Sequence, residues 1–134
     1  KDGSKLVRAV SCLPTPKMTI IIGGSHGAAN YSLAGRAYDP EFLFMYPNAK
    51  ISVMGGQQAA EVLMSVSKDK SEEGKARVVA NYERESSAYY STARIWDDGI
   101  IDPRDTRKVI GRCLSIMANK PRFDGKDIYG TFRM

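Results

Sequence analysis

The chain has 134 residues, is 43% hydrophobic and carries a formal net charge of +5. This composition suits a folded core and excludes a disordered chain, and the length allows one domain or part of one. No apolar run approaches the roughly 18 residues of a membrane span, which predicts a soluble protein without membrane contact. Lysine and arginine are scattered, with no block of about five or more and no aromatics interleaved at a stacking spacing. The charge therefore argues against a nucleic-acid partner and suits a small anionic ligand.

Residues 5–11 place Leu6, Val7 and Val10 on one face, as in the end of a helix that Pro14 and Pro16 stop. Residues 18–22 (MTIII) read as a buried strand, and residues 23–27 (GGSHG) as a tight glycine turn. A helix over residues 30–36 follows, with Leu33 and Ala34 packed inward, closed by Gly35 and then Asp39-Pro40. Residues 41–46 (EFLFMY) form a second strand and residues 51–54 a third. Gly55-Gly56 then repeats the strand, glycine turn, helix device, with Ala59, Val62, Leu63 and Val66 on one helical face.

Residues 67–75 are charged, with Ser71 as the N-cap ahead of Glu72 and Glu73. Glu72, Glu73, Lys68 and Lys70 belong to a solvated face, and Val78, Val79 and Tyr82 line the next helix. Trp96-Asp97-Asp98-Gly99 is a turn, and Ile100-Ile101 a short extended piece. Asp102 at the N-cap, Pro103 at N1 and Asp105 at N3 start a last helix running to about Asn119. Val109, Ile110, Cys113, Leu114 and Met117 form its inner face. Residues 119–134 are a polar C-terminal tail with Phe123, Tyr129 and Phe132 as anchors. Short strands alternating with helices give an α/β class. With about three strands, and no Met at the start, the chain reads as the back part of a larger layered domain.

Two chemical readings overlap at the first glycine turn. Gly23-x-Ser25-x-Gly27 matches the nucleophile elbow of serine hydrolases. Such a serine needs a base, and the single histidine, His26, is its own neighbour on the turn and points elsewhere. The second reading uses no side-chain base: the N–H groups of Gly27, Ala28 and Ala29 at a helix start face outward to hold an oxyanion, each donor contributing about 3 kcal/mol in a dry site. A plain strand–helix connection accounts for the same letters. Asp97, Asp98, Asp102 and Asp105 read as turn and cap residues rather than metal ligands, so no metal is expected. Tyr82, Tyr89 and Tyr90 read as packing residues. Cys12 and Cys113 lack metal spacing and read as reduced thiols.

A family resemblance covers nearly the whole chain. The strings PKMTIIIGGSHGAANYSLAGRAYDPEFLFMYPNAKISVMGGQQAAEVL, SSAYYSTARIWDDGIIDPRDTRKVIG and GTFRM, in that order, resemble the carboxyltransferase (β) subunits of acyl-CoA carboxylases, above all their methylcrotonoyl-CoA branch. The resemblance implies a crotonase-like (ClpP/crotonase) α/β fold, with residues 1–134 the last part of the second of two related carboxyltransferase domains. It implies transfer of a carboxyl group from carboxybiotin to the γ-carbon of 3-methylcrotonoyl-CoA in leucine breakdown. Geranyl-CoA and propionyl-CoA carboxylase β-subunits stand beside that reading, as do a crotonase-type thioester hydrolase using Ser25 and a non-enzymatic oligomerisation module.

The cofactor implied is biotin, borne by a partner α subunit that uses ATP and bicarbonate. The partners are that subunit, the acyl-CoA and further copies of the β subunit, with each site shared between two copies. The compartment implied is the mitochondrial matrix in a eukaryote and the cytoplasm in a bacterium. Because the cofactor supplies the base, the protein supplies position and oxyanion stabilisation, so a lone histidine is no obstacle. On this sequence the ureido oxygen of biotin maps to the amides of Ala28 and Ala29, with Gly27 giving clearance and His26 alongside. Position 26 is His where the family usually has Phe or Tyr, and position 29 is Ala where the methylcrotonoyl branch usually has Gly. Since half the site lies on other sequence, the 134-residue chain alone is expected to be inactive.

Overall fold

The computed structural model describes residues 2–66 and 71–121, with only the backbone at residue 66. The expectations for Lys68, Lys70 and the aromatic anchors Phe123, Tyr129 and Phe132 lie outside the described residues. The elements are α1 (Asp2–Cys12), β1 (Met18–Ile21), β2 (Gly24–His26), α2 (Ala28–Ser32), β3 (Phe42–Met45), β4 (Lys50–Ser52), α3 (Gly56–Val66), α4 (Glu72–Glu85), α5 (Ala88–Thr92) and α6 (Thr106–Met117). Short 3-10 turns lie at Arg36–Tyr38 and Pro103–Asp105.

Four strands form two parallel pairs. β1 runs beside β3 with Met18 opposite Phe42 and Ile21 opposite Met45. β2 runs beside β4 with Gly24 opposite Lys50 and His26 opposite Ser52. The residues read as one glycine turn thus hold a strand, and only Gly27 makes the turn. The reason is pairing: the Gly23 carbonyl accepts from the Lys50 N–H (3.0 Å), which starts a second ladder directly after the first. The third strand is correspondingly shorter than residues 51–54, because Ser52 is the last residue with a partner on β2.

The core sits where the two ladders meet α5. Leu43 and Met45 are fully enclosed with Ala88, and Ile21 and Ala49 complete the cluster. β3 alternates in burial, so Phe42 and Phe44 stack on each other on the opposite face, 6.0 Å apart. Beyond β3, the N–H of Met45 donates to the Gly99 carbonyl (3.1 Å) and that of Ile101 to the Met45 carbonyl (2.9 Å), so residues 99–101 extend the sheet edge.

Helix faces depart from the sequence reading in several places. The helix expected over residues 30–36 is Ala28–Ser32, because Leu33 closes it and Ala34 takes the left-handed conformation (φ 57°). Ala34 is buried as expected, but Leu33 is 65% exposed. Gly35 is required by proximity, since a Cβ there would stand 2.6 Å from the Asn30 carbonyl. On α3, which packs on α4, the buried residues are Ala59 and Ala60, while Val62 and Leu63 face outward. Leu6 on α1 and Leu114 on α6 are also outward, whereas Cys113 is enclosed. Ser71 caps α4 as expected, its Oγ accepting from the Gly74 N–H, whereas Asp102, accepting from the Arg104 N–H, caps the 3-10 turn Pro103–Asp105, and α6 itself starts only at Thr106 with Asp105 at its N-cap. The Arg104 guanidinium and amide beside it hold the Asp102 carboxyl down to about 2.

Candidate functional site

The end of β2 is held in a glycine-dependent conformation. Gly27 has φ 59° and ψ −139°, a conformation that side chains with a Cβ rarely adopt. A Cβ at Gly27 would also stand 3.0 Å from the Val53 carbonyl. The turn reverses the chain from β2 into α2, and the Gly27 N–H is spent on the Ser52 carbonyl (3.1 Å). Of the three outward amides expected, two remain. Among the described residues the N–H groups of Ala28 and Ala29 have no acceptor, while the Asn30 N–H returns to the Gly27 carbonyl (3.2 Å). Ala28 and Ala29 are both exposed and carry only methyls. Gly27→Ala combines a left-handed φ with the contact to Val53, so it lowers stability by about 1–2 kcal/mol. A thermal melt of the full-length subunit checks this, with Gly23→Ala, where added bulk meets open space, nearly silent.

His26 and Ser25 part company at this turn. His26 Nδ1 lies 2.6 Å from Ser52 Oγ on the neighbouring strand. Ser52 Oγ in turn donates to the Met54 carbonyl at 2.5 Å. The Ser25 hydroxyl has no hydrogen-bond partner among the described residues, and no base stands against it. It borders a cleft of about 280 Å³ that also touches Gly23, Gly24, Asn30 and Leu33. An elbow serine without a base is not an activated nucleophile.

The second glycine turn lies against the first. The Met54 N–H donates to the Tyr82 hydroxyl (3.2 Å), and Gly56 begins α3 beside Tyr82 and Glu83 of α4. Glu83 pairs with Lys50 of β4. Tyr82 and Tyr90 border a second cavity of about 220 Å³ with Val53 and Trp96, whereas Tyr89 is exposed. Tyr90 is packed edge-on against Trp96, with the Arg94 guanidinium over its ring.

The aspartates serve structure. Asp97 is buried and accepts from Ser91 Oγ, Thr92 Oγ1 and the Gly99 N–H. Asp98 accepts from the Leu43 N–H, and Asp102 caps the 3-10 turn Pro103–Asp105 that leads into α6. Among the described residues no group of three or more His, Cys, Asp or Glu is placed to hold a metal ion. Also among the described residues, no helix is long and apolar enough to cross a membrane.

Residues 1–130 match the carboxyl transferase domain. The chain belongs to that family. It is 53% identical, over its whole length, to the biotin-dependent 3-methylcrotonyl-coenzyme A carboxylase β1 subunit of Mycobacterium tuberculosis, 27% of which it covers. Among solved structures it is similar to the β subunit of Pseudomonas aeruginosa geranyl-CoA carboxylase, at TM-score 0.78 and 42% identity, over 88% of this chain and 24% of that one. It is similar also to transcarboxylase 12S, solved as a hexamer with methylmalonyl-coenzyme A bound, at TM-score 0.83 and 28% identity, over 98% of this chain and 26% of that one. The chain thus spans about a quarter of the length of these carboxyl transferases. Its α/β fold is the crotonase-like carboxyltransferase fold, and the sequence resemblance to β subunits is upheld.

Proposed function

We propose that this chain is part of the β subunit of a biotin-dependent carboxylase acting on 3-methylcrotonoyl-CoA, and that it forms the last part of that subunit's second carboxyltransferase domain, with residues 119–134 as its C-terminal tail. The observation that carries the reading is the 53% identity, over the entire chain, to a subunit of that name. Geranyl-CoA is the runner-up substrate, supported by the 42% identity to the geranyl-CoA carboxylase β subunit.

The turn fits biotin. Its ureido oxygen is an acceptor, and the amides of Ala28 and Ala29 are two exposed donors without acceptors of their own. Gly27, whose missing Cβ clears the Val53 carbonyl, allows the turn, and the alanine side chains add no bulk beyond a methyl. When bound, carboxybiotin supplies both the carboxyl group and the base. The role of this chain is then to orient the cofactor's oxygen and to stabilise negative charge as it develops there, through two fixed N–H dipoles that need no reorganisation. Ser25 has no task in this scheme, and His26 acts beside the turn.

The reading also assigns the partners. An α subunit carries biotin and uses ATP and bicarbonate, and further β copies complete the site. The compartment follows the source, matrix in a eukaryote and cytoplasm in a bacterium. The test uses the full-length subunit assembled with its biotin-bearing partner. ATP- and bicarbonate-dependent carboxylation of 3-methylcrotonoyl-CoA, at a kcat/KM at least tenfold above that for geranyl-CoA and propionyl-CoA, is expected. Release of free CoA without carboxylation, together with fluorophosphonate labelling of Ser25, overturns it. The 134-residue chain alone is expected to transfer nothing.

A further inference from the structure

One residue ties the two glycine turns together, and it lies outside the expected site. Ser52 ends β4, opposite His26. Its carbonyl accepts from the Gly27 N–H, which fixes the residue immediately before the two open amides. Its hydroxyl proton goes to the Met54 carbonyl, two residues from Gly56 and the start of α3. A hydroxyl has a single proton, so the oxygen can only accept in its second contact. His26 Nδ1 is therefore the donor to Ser52 Oγ and bears a proton. The Met54 N–H is anchored in turn to the Tyr82 hydroxyl on α4. A continuous run of hydrogen bonds thus leads from α4 through the second turn to the first.

We propose that Ser52 is a positioning residue for the Ala28 and Ala29 amides: it acts through Gly27 and His26, and holds the cofactor-facing turn in register with the second turn. The inference rests on the reading of those amides as the biotin site. The physical reason is the weakness of the turn by itself. α2 has five residues, too few to be stable alone, and Gly27 before it is free to take many backbone conformations, so local hydrogen bonds alone do not hold the amides in one direction. The bonds to Ser52 come from a paired strand and supply the missing constraint. They also show how His is accommodated at position 26, since its polar edge is satisfied by a hydroxyl one strand away.

The test compares Ser52→Ala, Ser52→Thr and His26→Phe in the full-length subunit. Amide hydrogen exchange over residues 24–30 is expected to rise at least tenfold in Ser52→Ala while residues 106–117 stay unchanged, and Ser52→Thr restores the slow exchange. In the assembled enzyme, kcat falls about tenfold in Ser52→Ala with KM for the acyl-CoA within twofold, because the proposed function gives the Ala28 and Ala29 amides to biotin and not to the acyl-CoA. His26→Phe has a smaller effect, about threefold. The double variant is no worse than Ser52→Ala, as both act through one network. Unchanged exchange over residues 24–30, or a rise spread evenly over the chain, overturns the inference. So does a kcat unchanged by Ser52→Ala, or strictly additive losses. An inactive wild-type complex would refute the carboxylase reading instead, and the exchange comparison would still decide the role of Ser52.

Discussion

Ala28→Pro in the full-length subunit is expected to lower carboxyl transfer about 100-fold, while Ser25→Ala stays within twofold of wild type. Proline removes the N–H of Ala28 and nothing else that the fold needs. Ala28 is the first residue of α2, where proline's fixed φ is tolerated and where the amide makes no intramolecular bond. Loss of one preorganised donor to a developing anion costs about 3 kcal/mol, which corresponds to roughly two orders of magnitude in rate. The melting temperature is expected to move by less than that of Gly27→Ala. A large side chain at Ala29 is expected to act through KM for the biotin-bearing partner, because it obstructs the approach and leaves the N–H in place. Ser25 gives the contrasting result, since among the described residues its hydroxyl has neither a base nor a bonded partner. Steady-state carboxylation with both variants decides between the two chemistries that share this turn. If Ser25→Ala is the more damaging change, the hydrolase reading returns.

The backbone of the candidate turn was legible in the sequence where local chemistry dictated it. A left-handed position at a strand end calls for glycine, and Gly27 is there. Small residues follow it, so the open amides of Ala28 and Ala29 could be read in advance. Three amides were expected and two are open, because the acceptor for the Gly27 N–H is Ser52, a residue 25 positions away that no local pattern announces. β2 was hidden for a related reason. Gly24-Ser25-His26 has no strand propensity of its own, and it becomes a strand by pairing with β4. Helical periodicity located the helices, but the expected inner faces are only partly buried. Val62, Leu63 and Leu114 keep helical spacing, yet among the described residues nothing encloses them, in a chain about a quarter the length of its relatives. The capping residues Ser71 and Asp102 were the most legible, because a cap is decided within three residues.

Asp97→Leu is expected to be the most destabilising single change at a polar residue, by about 3 kcal/mol. The carboxylate is 4% exposed and receives three donors: Ser91 Oγ at 2.6 Å, Thr92 Oγ1 at 2.8 Å and the Gly99 N–H at 3.0 Å. Leucine has similar bulk and returns some apolar burial, but it accepts no hydrogen bond. Ser91 is fully enclosed, so its hydroxyl has no water to turn to, and an unmatched buried donor costs about 1–3 kcal/mol. The effect spreads along the turn. Asp98 and Gly99 are stitched to β3 through the Leu43 N–H (2.7 Å), the Leu43 carbonyl (2.7 Å) and the Met45 N–H (3.1 Å), and these two β3 residues are the centre of the core. Three further variants separate the causes. Asp97→Asn keeps a carbonyl acceptor and costs about half as much. Adding Ser91→Ala to Asp97→Leu recovers about 1 kcal/mol, because the stranded hydroxyl is gone, whereas Ser91→Ala alone destabilises. Denaturation of the full-length subunit measures all four, and carboxyl transfer by the folded fraction at 25 °C is expected to stay near wild type, since the turn at residues 96–99 bonds to β3 and not to Gly27. A recovery of zero in the double variant would mean that backbone distortion, rather than the unmatched hydroxyl, sets the loss.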